Sequence, residues 1–492
     1  MLQIEEIKTF INEDAGSLLK QAAKEGDRYY NGEHDILDYR MFYWNSDGNL
    51  VEDKTRSNAK IPHPFFTELV DQGVQFVLSG GKDGIIMSDD EKLQAELDLY
   101  FNKNKRFMVE LSETITGMQS KGFDYMYAYQ GKDGRLAFEN ADCIGVVEVE
   151  GRFAEDGKDQ RIYKYIDRID KDCRTQWKIL VIDDLNTYYY KQTDEGEIEV
   201  DEDVEMNPKP HLLYEKDGEL YTKEGVAFLP FFRLDNNKKR KSLLSAVKAL
   251  IDDYDMMASG LTNNLIDFDI PLYAVKGFEG DNLDELQQNL KTKKIVGVDE
   301  EGGIEVHTVD VPYQARLTKL ELDEKGIYKF GMGLNMSGLK DTNATTNIAI
   351  KAAYSLLELR CTKIIDQLEL FLSELVEVVL NEVNDTNGTN YRITDVHFDF
   401  TPEVMSNAQE NAQIALTEAQ EQQARITTLL NLAPHLDNET LMQEICEVLD
   451  IEYDEIKSKL PDPDEAENAI KTAQTDLDDV VVEDGVDDVL VG

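Results

Sequence analysis

The longest regular pattern of apolar residues in the chain lies between residues 346 and 384. Apolar side chains recur there every three or four residues without a Gly or Pro, as on one face of a helix. They are Ile350, Tyr354, Leu357, Cys361, Ile364, Leu368, Phe371, Leu375 and Val379. At about 1.5 Å per residue, such a helix is about 60 Å long. The average soluble helix has about 11–12 residues, so we predict a helix that crosses a large assembly or carries a kink.

A shorter helix precedes it, and a loop of small residues separates the two. Residues 314–330 have helical apolar spacing, although Gly326 weakens the second half by about 1 kcal/mol relative to Ala. Small and polar residues then break the period, because Gly, Ser, Asn and Asp favour turns. They are Gly331, Gly333, Ser337, Gly338, Asp341, Thr342 and Asn343. We predict a helix, a flexible connection and a long helix, around which the remaining chain is organised.

The N-terminal part is predicted to be helical and then to change to β-structure. Apolar spacing indicates a helix through Leu19, a helical patch with Tyr29 and Tyr30, a turn-rich gap, a helix starting near Pro64, and helices over 89–102 and 106–122. From residue 123 to 232, alternating aromatic and β-branched runs predict antiparallel strands. These runs are 124–130, 136–138, 144–149, 161–169, 177–182 and 186–191. We interpret 195–205 as an acidic surface loop and Pro230 as the end of the β-region.

The second half is predicted to be largely helical. A helix over 243–265 follows the basic run at 238–241, with Ser242 as its N-cap. Bases are unfavourable at a helix start, which carries partial positive charge, so we expect an external partner to compensate them. Residues 270–311 indicate a short mixed insert with strands at 272–275, 295–298 and 304–309 and a helix at 284–290. After the long helix we predict a strand over 391–400 and helices from Thr401, from Asp437 and over 453–460.

Net charge is the bulk property that most affects the prediction of function. The 492 residues contain 99 acids against 51 bases, which gives a formal net charge of −48. Non-specific DNA affinity comes from Lys and Arg, so this charge argues against a conventional DNA-binding domain. It is typical of a solvated surface that keeps the protein soluble, or of a surface that must not adhere to DNA. Residues 461–492 hold eleven acids and one Lys and are predicted to be disordered.

The sequence contains no recognisable catalytic motif. There is no phosphate-binding glycine loop, no pair of histidines at metal-ligand spacing and no nucleophile motif. The cysteines Cys143, Cys173, Cys361 and Cys446 are far apart and are interpreted as reduced, structural thiols of a cytosolic protein. No signal peptide or apolar run near the roughly 20 residues of a membrane span is present. We therefore expect a soluble, non-catalytic protein of α+β class, predominantly helical, without metal or cofactor.

Four short stretches of the chain share their order and spacing with one known family. They are Tyr29–Ile36, Asn58–His63 with the helix that follows, Leu229–Phe232 with Asn236 and Asn237, and Gly333–Gly338. Through these stretches the chain resembles, over about residues 25–435, the portal proteins of tailed bacteriophages, most closely those of long-tailed phages. Portal proteins form the ring at the head vertex through which DNA enters and leaves.

The resemblance implies a portal fold with wing, stem, clip and crown. The wing would comprise residues 1–236, and stem helix 1 and stem helix 2 would be 237–268 and 313–330. The clip would be 269–312, the tunnel loop 331–346 and the crown 403–460, with 347–402 forming the long helix and a strand that return to the wing. The segment 131–227 matches in pattern alone, and the acidic tail 461–492 has no counterpart that we can align.

The resemblance also implies partners and candidate residues. We expect a homo-oligomeric ring, usually of twelve copies, located in the virion and assembled in the bacterial host cytoplasm. It would hold sliding double-stranded DNA and contact the terminase large subunit, head-completion proteins, the major capsid protein and scaffolding proteins, with no membrane contact. In the tunnel loop, Lys340 is the candidate for a phosphate contact, and Asn335, Ser337 and Asn343 could offer neutral hydrogen bonds.

Several alternatives stay open at this stage. Lys291, Lys293 and Lys294 in the clip, and the basic run at 238–241, either meet DNA or acidic partners or simply form solvated faces. The protein could be a different virion component, such as a scaffold or minor head protein. A Mg²⁺-dependent nuclease is the enzymatic alternative, because acid clusters such as Asp89–Glu91 and Asp252–Asp253 can bind Mg²⁺ when they converge with others.

Overall fold

A computed structural model describes most of the chain. The described residues are 2–79, 84–131, 134–153, 157–168, 174–211, 214–216, 219–221, 228–268, 272–276, 303–307, 312–335, 347–400, 408–433 and 438–448. The predicted elements at 284–290, 295–298 and 453–460, the starts at Thr401 and Asp437, and the tail 461–492 lie outside them. The chain divides into two compact units, Met1–Ala344 with Ile348–Val404, and Thr345–Asn347 with Met405–Gly492.

Ten α-helices occur among the described residues. Eight belong to the first unit, apart from the first residue of the eighth, and two to the second. They are α1 (Ile4–Ala15), α2 (Leu18–Tyr30), α3 (Phe65–Leu78), α4 (Glu91–Leu97), α5 (Lys105–Lys121), α6 (Leu244–Phe268), α7 (Tyr313–Phe330), α8 (Asn347–Asn387), α9 (Ala408–Leu432) and α10 (Asn438–Val448). The predicted long helix is thus confirmed as α8, with 41 residues. The helix predicted before the loop is confirmed as α7.

Local signals in the sequence explain several helix ends. Asn104 caps α5 by accepting hydrogen bonds from the backbone N–H groups of Arg106 and Phe107. The same helix ends at Gly122, whose φ of +98° lies in the left-handed region that glycine enters without strain. Ser242 accepts a hydrogen bond from the Leu244 N–H at 2.9 Å, which confirms its predicted capping role at the start of α6.

Seventeen strands lie within the described ranges, all of them in the first unit. They are β1 (Phe42–Trp44), β2 (Leu50–Glu52), β3 (Ile86–Met87), β4 (Phe123–Gln130), β5 (Leu136–Ala141), β6 (Val146–Val149), β7 (Gln160–Arg168), β8 (Thr175–Ile182), β9 (Asn186–Gln192), β10 (Ile198–Val200), β11 (Lys209–Pro210), β12 (Tyr214–Lys216), β13 (Glu219–Tyr221), β14 (Phe231–Asp235), β15 (Leu272–Lys276), β16 (Gly303–His307) and β17 (His397–Phe398). The predicted antiparallel strands are confirmed, and β6–β7–β8–β9–β10 form a meander in which β11 also pairs with β9.

The smaller sheets pair segments that are distant in sequence. Strands β14, β4 and β5 form a three-stranded sheet, and β17 pairs with β3. The pairs β1–β2, β12–β13 and β15–β16 are two-stranded ribbons. The largest apolar core joins α3, α5 and α8 to one face of the β14–β4–β5 sheet, whereas α1 packs on the six-stranded sheet through Ile7. The predicted α+β class with mainly helical content is therefore confirmed.

Five details of the predicted pattern are wrong. The first helix is two helices, because the chain breaks at Gly16 and Ser17 caps α2. The turn-rich gap contains the hairpin β1–β2, and the acidic loop at 195–205 contains β10, which pairs with β9. Pro230 precedes a strand instead of ending the β-region, since β14 pairs with β4. Residues 391–400 form a short 3-10 turn and the two-residue strand β17. The wing, stem, clip and crown boundaries stay predictions.

Candidate functional site: the root of the loop after α7

The chain turns sharply where α7 ends, and this turn lies tightly against α3. The Gly331 N–H donates to the Ile327 carbonyl at 2.8 Å, and the Gly333 N–H donates to the Tyr328 carbonyl at 2.9 Å. A Cβ atom at Gly333 would lie 2.2 Å from a methyl carbon of Leu69, and one at Gly331 would lie 2.6 Å from the other. Gly331 and Gly333, two of the small residues that broke the apolar pattern, are thus required by close packing at the start of the loop.

Two hydrogen bonds from a single side chain fix the next residue. The Gln72 amide nitrogen donates to the Leu334 carbonyl at 2.9 Å, and the Leu334 N–H donates to the Gln72 amide oxygen at 2.8 Å. The Leu334 side chain is buried in the main core. Asn335 then donates from its side chain to Glu324 on α7 at 3.2 Å. Residues 331–335, which we call the loop root, are therefore held by α3 and α7.

Arg360 connects the loop root to the long helix α8. Its guanidinium donates to the Gly331 carbonyl at 3.0 Å and to the Leu69 carbonyl at 2.7 Å. The side chain is buried, and burial lowers the pKa of the guanidinium. No carboxylate pairs with it in the described part of the chain. The C-terminal end of α7 carries partial negative charge, so a cation bonded to the Gly331 carbonyl is well placed.

The structure describes only one of the predicted site residues. Asn335 lies at the loop root, whereas Ser337, Lys340 and Asn343 fall outside the described residues, as do Lys291, Lys293 and Lys294. Their proposed roles stay predictions. Sequence reasoning did not identify Gln72 or Arg360. A signal for Arg360 was available, because it is a charged residue beside Cys361 within the apolar stripe of the long helix.

Replacing Gln72 by Leu is expected to loosen the loop root. The substitution leaves the buried N–H and carbonyl of Leu334 without partners, which costs roughly 1–3 kcal/mol. Hydrogen exchange measured by mass spectrometry should show faster exchange in peptides covering residues 331–335. Gln75→Leu is the matched control, since Gln75 lies on the same helix and is exposed. Equal exchange in the two variants would show that Gln72 does not hold the root.

A second group of contacts ties an extended segment to α6. Alternate backbone N–H groups of residues 57–63, which we call the strap, donate to side chains four residues apart on α6. The pairs are Ser57 with Asp267 at 3.2 Å, Ala59 with Asn263 at 2.6 Å, Ile61 with Ser259 at 3.1 Å and His63 with Asp255 at 2.9 Å. Two extended residues and four helical residues both advance about 6–7 Å, so the two repeats stay in register.

Asp255 is the most buried member of this ladder. Its carboxylate is inaccessible to solvent and contacts the Nδ1 atoms of His34 at 2.6 Å and His63 at 2.8 Å. Burial raises the pKa of Asp255, but the hydrogen bonds with the two histidines outweigh burial and the pKa lies below its ordinary value. His34 also stacks on Tyr29 with ring centroids 4.6 Å apart. One carboxylate thus joins α6, the strap and the segment after α2.

Helices α6 and α7 run antiparallel and are linked by an ion pair. Lys319 on α7 pairs with Asp253 on α6 at 2.5 Å and with Asp323 on its own helix. The antiparallel direction follows from the packing, because Gly326 lies near Leu250 whereas Gly260 lies near Arg316. These two helices correspond to the segments predicted as paired stem helices.

The acid clusters considered as Mg²⁺ sites have structural partners. Asp90 caps α4, and Asp252 accepts a hydrogen bond from the Tyr29 hydroxyl and pairs with Lys248. Among the described residues, Asp124, Asp142 and Cys143 form the one group close enough to hold a metal. The ammonium of Lys121 already lies 3.0 Å from Asp124 and 2.8 Å from Asp142.

Part of the basic run before α6 is also neutralised within the chain. Arg240 pairs with Glu148 at 3.6 Å and with Asp235 at 3.5 Å, and its guanidinium lies over the Phe123 ring. The expected external partner is therefore not needed for this residue. Within the described ranges, no helix has the length and apolar character needed to cross a membrane.

The chain matches one protein family and two individual relatives, and all of them are phage portal proteins. The family described as "Phage portal protein, SPP1 Gp6-like" matches residues 13–458. The portal protein of Bacillus phage SPP1 is 27% identical over 371 residues, covering 73% of this chain and 70% of that protein. The portal protein of Clostridium phage phiCD119 is 24% identical over 428 residues, covering 84% and 89%.

Two solved structures of the neck of a GTA particle also match the chain. The neck of an empty GTA particle computed with C6 symmetry covers 78% of this chain and 90% of its own, with 12% identity and a TM-score of 0.39. The neck of a native GTA particle computed with C12 symmetry covers 77% and 90%, with 12% identity and a TM-score of 0.36.

Proposed function

Because this chain belongs to the SPP1 Gp6-like family of phage portal proteins, we propose that it forms the ring through which DNA is packaged and ejected at the capsid vertex. Portal proteins are structural components of the phage virion, serve as head-to-tail connectors and form oligomeric rings. The family match confirms the resemblance drawn from the sequence and carries the proposal, since it spans residues 13–458. A ring of twelve copies, assembled in the host cytoplasm, is part of the proposal.

The loop root supports a fixed position for the proposed tunnel loop. Gln72 and Arg360 hold residues 331–334 against α3 and α8 at one end, and α8 begins at Asn347. The proposed DNA-facing residues Ser337, Lys340 and Asn343 lie between these anchors in the sequence. Asn335 donates to Glu324 on α7, which fixes the position of its side chain at the loop root.

The net charge supports a conduit that binds DNA weakly. With a formal net charge of −48, the chain lacks the excess of bases from which non-specific DNA affinity arises. An acidic channel wall lowers the local affinity for phosphate, so DNA can slide in both directions. Lys340 is the only base between Gly331 and Thr346, and we assign it the phosphate contact in the loop.

Replacing Lys340 by Ala should reduce the amount of DNA packaged or retained per particle, while rings still assemble. A single phosphate contact in water is worth little, so we expect a partial loss and a weaker dependence of the packaging rate on salt. Packaging in an extract complemented with purified rings measures both. Lys340→Arg is the control and should behave like the wild type. Equal packaging by the Ala and wild-type rings would remove Lys340 from the proposal.

The clip is proposed as the docking site for the terminase large subunit and later for head-completion proteins. Lys291, Lys293 and Lys294 supply three bases within four residues of a strongly acidic chain. Such a cluster can attract an acidic partner surface. Changing all three to Glu should abolish terminase binding to assembled rings in a pull-down. Unchanged binding would indicate a solvated face. Contacts with the major capsid and scaffolding proteins are proposed on family grounds alone.

The rival functions receive less support from the described residues. The Asp90 and Asp252 carboxylates already cap a helix or form an ion pair, and Lys121 lies in the one possible metal cluster there. A Mg²⁺-dependent nuclease would therefore need residues that these contacts leave unused. The portal family is a structural family of the virion, with no catalytic function indicated. A scaffold or minor head protein would lack a central channel.

A further inference from the structure

The hairpin β1–β2 exposes apolar side chains on both of its faces. Its register places Phe42, Trp44 and Leu50 on one face and Tyr43 and Val51 on the other. All five side chains are at least 36% exposed, and Trp44 reaches 72%. A two-stranded ribbon is marginally stable in water unless a further strand or a helix covers it. The ribbon is therefore incomplete in the isolated chain.

The strap fixes where this ribbon lies. Asn58 in the strap donates to the Tyr39 carbonyl just before β1, and the Asp53 N–H after β2 donates to the Met41 carbonyl at 2.8 Å. The first strap residue, Ser57, is bonded to Asp267, next to the C-terminal end of α6. The base of the hairpin is thus held beside this end of α6. Because the strands have three residues each, the tip lies within about 10–15 Å of that base.

A second apolar surface lies at the same end of the paired helices. Leu265 and Ile266 near the end of α6, and Tyr313 and Leu317 at the start of α7, are each half or more exposed. The antiparallel packing of α6 and α7 brings these two helix ends together. The chain therefore exposes two different apolar surfaces, the hairpin and the helix ends, at the same end of the α6–α7 helix pair.

We propose that the β1–β2 hairpin is an arm that packs on the α6–α7 helix pair of a neighbouring copy of this chain. The inference rests on the proposed ring function and names its subunit contact. A ring requires a heterologous interface, in which one patch meets a different patch of the next copy. Copies in a ring are related by rotation about the ring axis, so corresponding residues lie at the same height along that axis. The arm of one copy therefore lies at the height of the C-terminal end of α6 in the next copy.

Charge favours a second copy as the occupant. Residues 39–60, which contain the arm, carry four bases, Arg40, Lys54, Arg56 and Lys60, against three acids, Asp47, Glu52 and Asp53. This net charge of +1 contrasts with −48 for the whole chain. Two copies of so acidic a protein repel each other across most of their surfaces. The hairpin itself contains the two acids Asp47 and Glu52, and the flanking bases bring the segment close to neutral. An apolar arm in such a segment lets two copies approach with less of that repulsion.

The test compares ring assembly of the wild type with that of the double variant Phe42→Ser, Trp44→Ser. The protein concentration at which half the chains are in rings, measured by mass photometry, should rise at least about tenfold, equivalent to about 1.4 kcal/mol. The matched control is Trp177→Ser, which removes the other tryptophan, on β8, and should assemble like the wild type. Far-UV circular dichroism checks that all three proteins are folded.

A second measurement keeps the arm intact. In the Trp177→Phe protein, Trp44 is the sole tryptophan, and its emission should shift to shorter wavelength when rings form. Suppose that the wild type forms rings. If the arm variant then assembles equally well, or if the Trp44 emission does not change on assembly, the arm proposal is wrong and the ring function still stands. If the wild type forms no rings at any concentration, the ring function fails and the arm proposal fails with it.

Discussion

Replacing Asp255 by Asn is expected to lower the free energy of unfolding by roughly 1–3 kcal/mol, the cost of leaving a buried hydrogen-bonding group without its partner. The carboxylate is inaccessible to solvent and faces three hydrogen-bonding groups, the rings of His34 and His63 and the His63 N–H. An Asn amide keeps the shape but turns one acceptor oxygen into a donor. The strap then loses the anchor at its His63 end, near the middle of α6.

Urea unfolding followed by circular dichroism measures this change. The matched control is Asp253→Asn, because Asp253 lies two residues away on α6 and pairs with Lys319 at a side chain 39% exposed. Exposed ion pairs are worth about 0–1 kcal/mol, so the control should be nearly neutral. Equal losses in the two variants would mean that Asp255 is no more important than a surface carboxylate.

The same group predicts a pH dependence. Because the pKa of folded Asp255 lies below its ordinary value of 3.8, its ionised form stabilises the fold above about pH 4. This contribution is lost as the pH falls through the folded pKa. The difference in stability between the wild type and Asp255→Asn should therefore be full at neutral pH and shrink in acid. A difference that stays constant from pH 7 to pH 2.5 would contradict this role.

Deleting Ser337–Thr342 is expected to leave ring assembly intact and to remove most DNA packaging or retention. The deletion spares the loop root, where Gln72 and Arg360 bind the backbone. It removes Lys340 and shortens the segment proposed to reach DNA. The measurement is DNA protected from nuclease per particle, with ring formation followed by electron microscopy.

A replacement of equal length separates chain length from side-chain chemistry. Exchanging Ser337–Thr342 for six Gly and Ser residues keeps the reach of the loop but removes Lys340. We expect its packaging to lie between those of the deletion and the wild type. If the deletion abolishes rings, the loop is an assembly element and its assignment to the channel is wrong.

Features set by local sequence were predictable, and those set by distant contacts were not. The long helix α8 was predicted because nothing interrupts its apolar period. The hairpin β1–β2 was missed because its strands have three residues each and lie in a turn-rich segment. Pro230 was misjudged because a proline can precede a strand, and β14 pairs with β4, more than a hundred residues earlier.

The candidate site shows the same division. The small residues of the loop were visible in the sequence, but the reason for Gly333 is the approach of Leu69 from α3. Gln72 and Leu334 lie 262 residues apart in the chain, and Asp255 and His63 lie 192 apart. Neither pair leaves a periodic trace. Only Arg360 has a local signal in the sequence, because it is a charged residue within an apolar stripe.

Electron microscopy of the purified wild-type protein tests the central claim most directly. A portal protein of this family should appear as rings with a central hole, with class averages that show a single rotational symmetry, twelve-fold in our proposal. Monodisperse monomers, or filaments without a hole, at all protein concentrations would contradict the account.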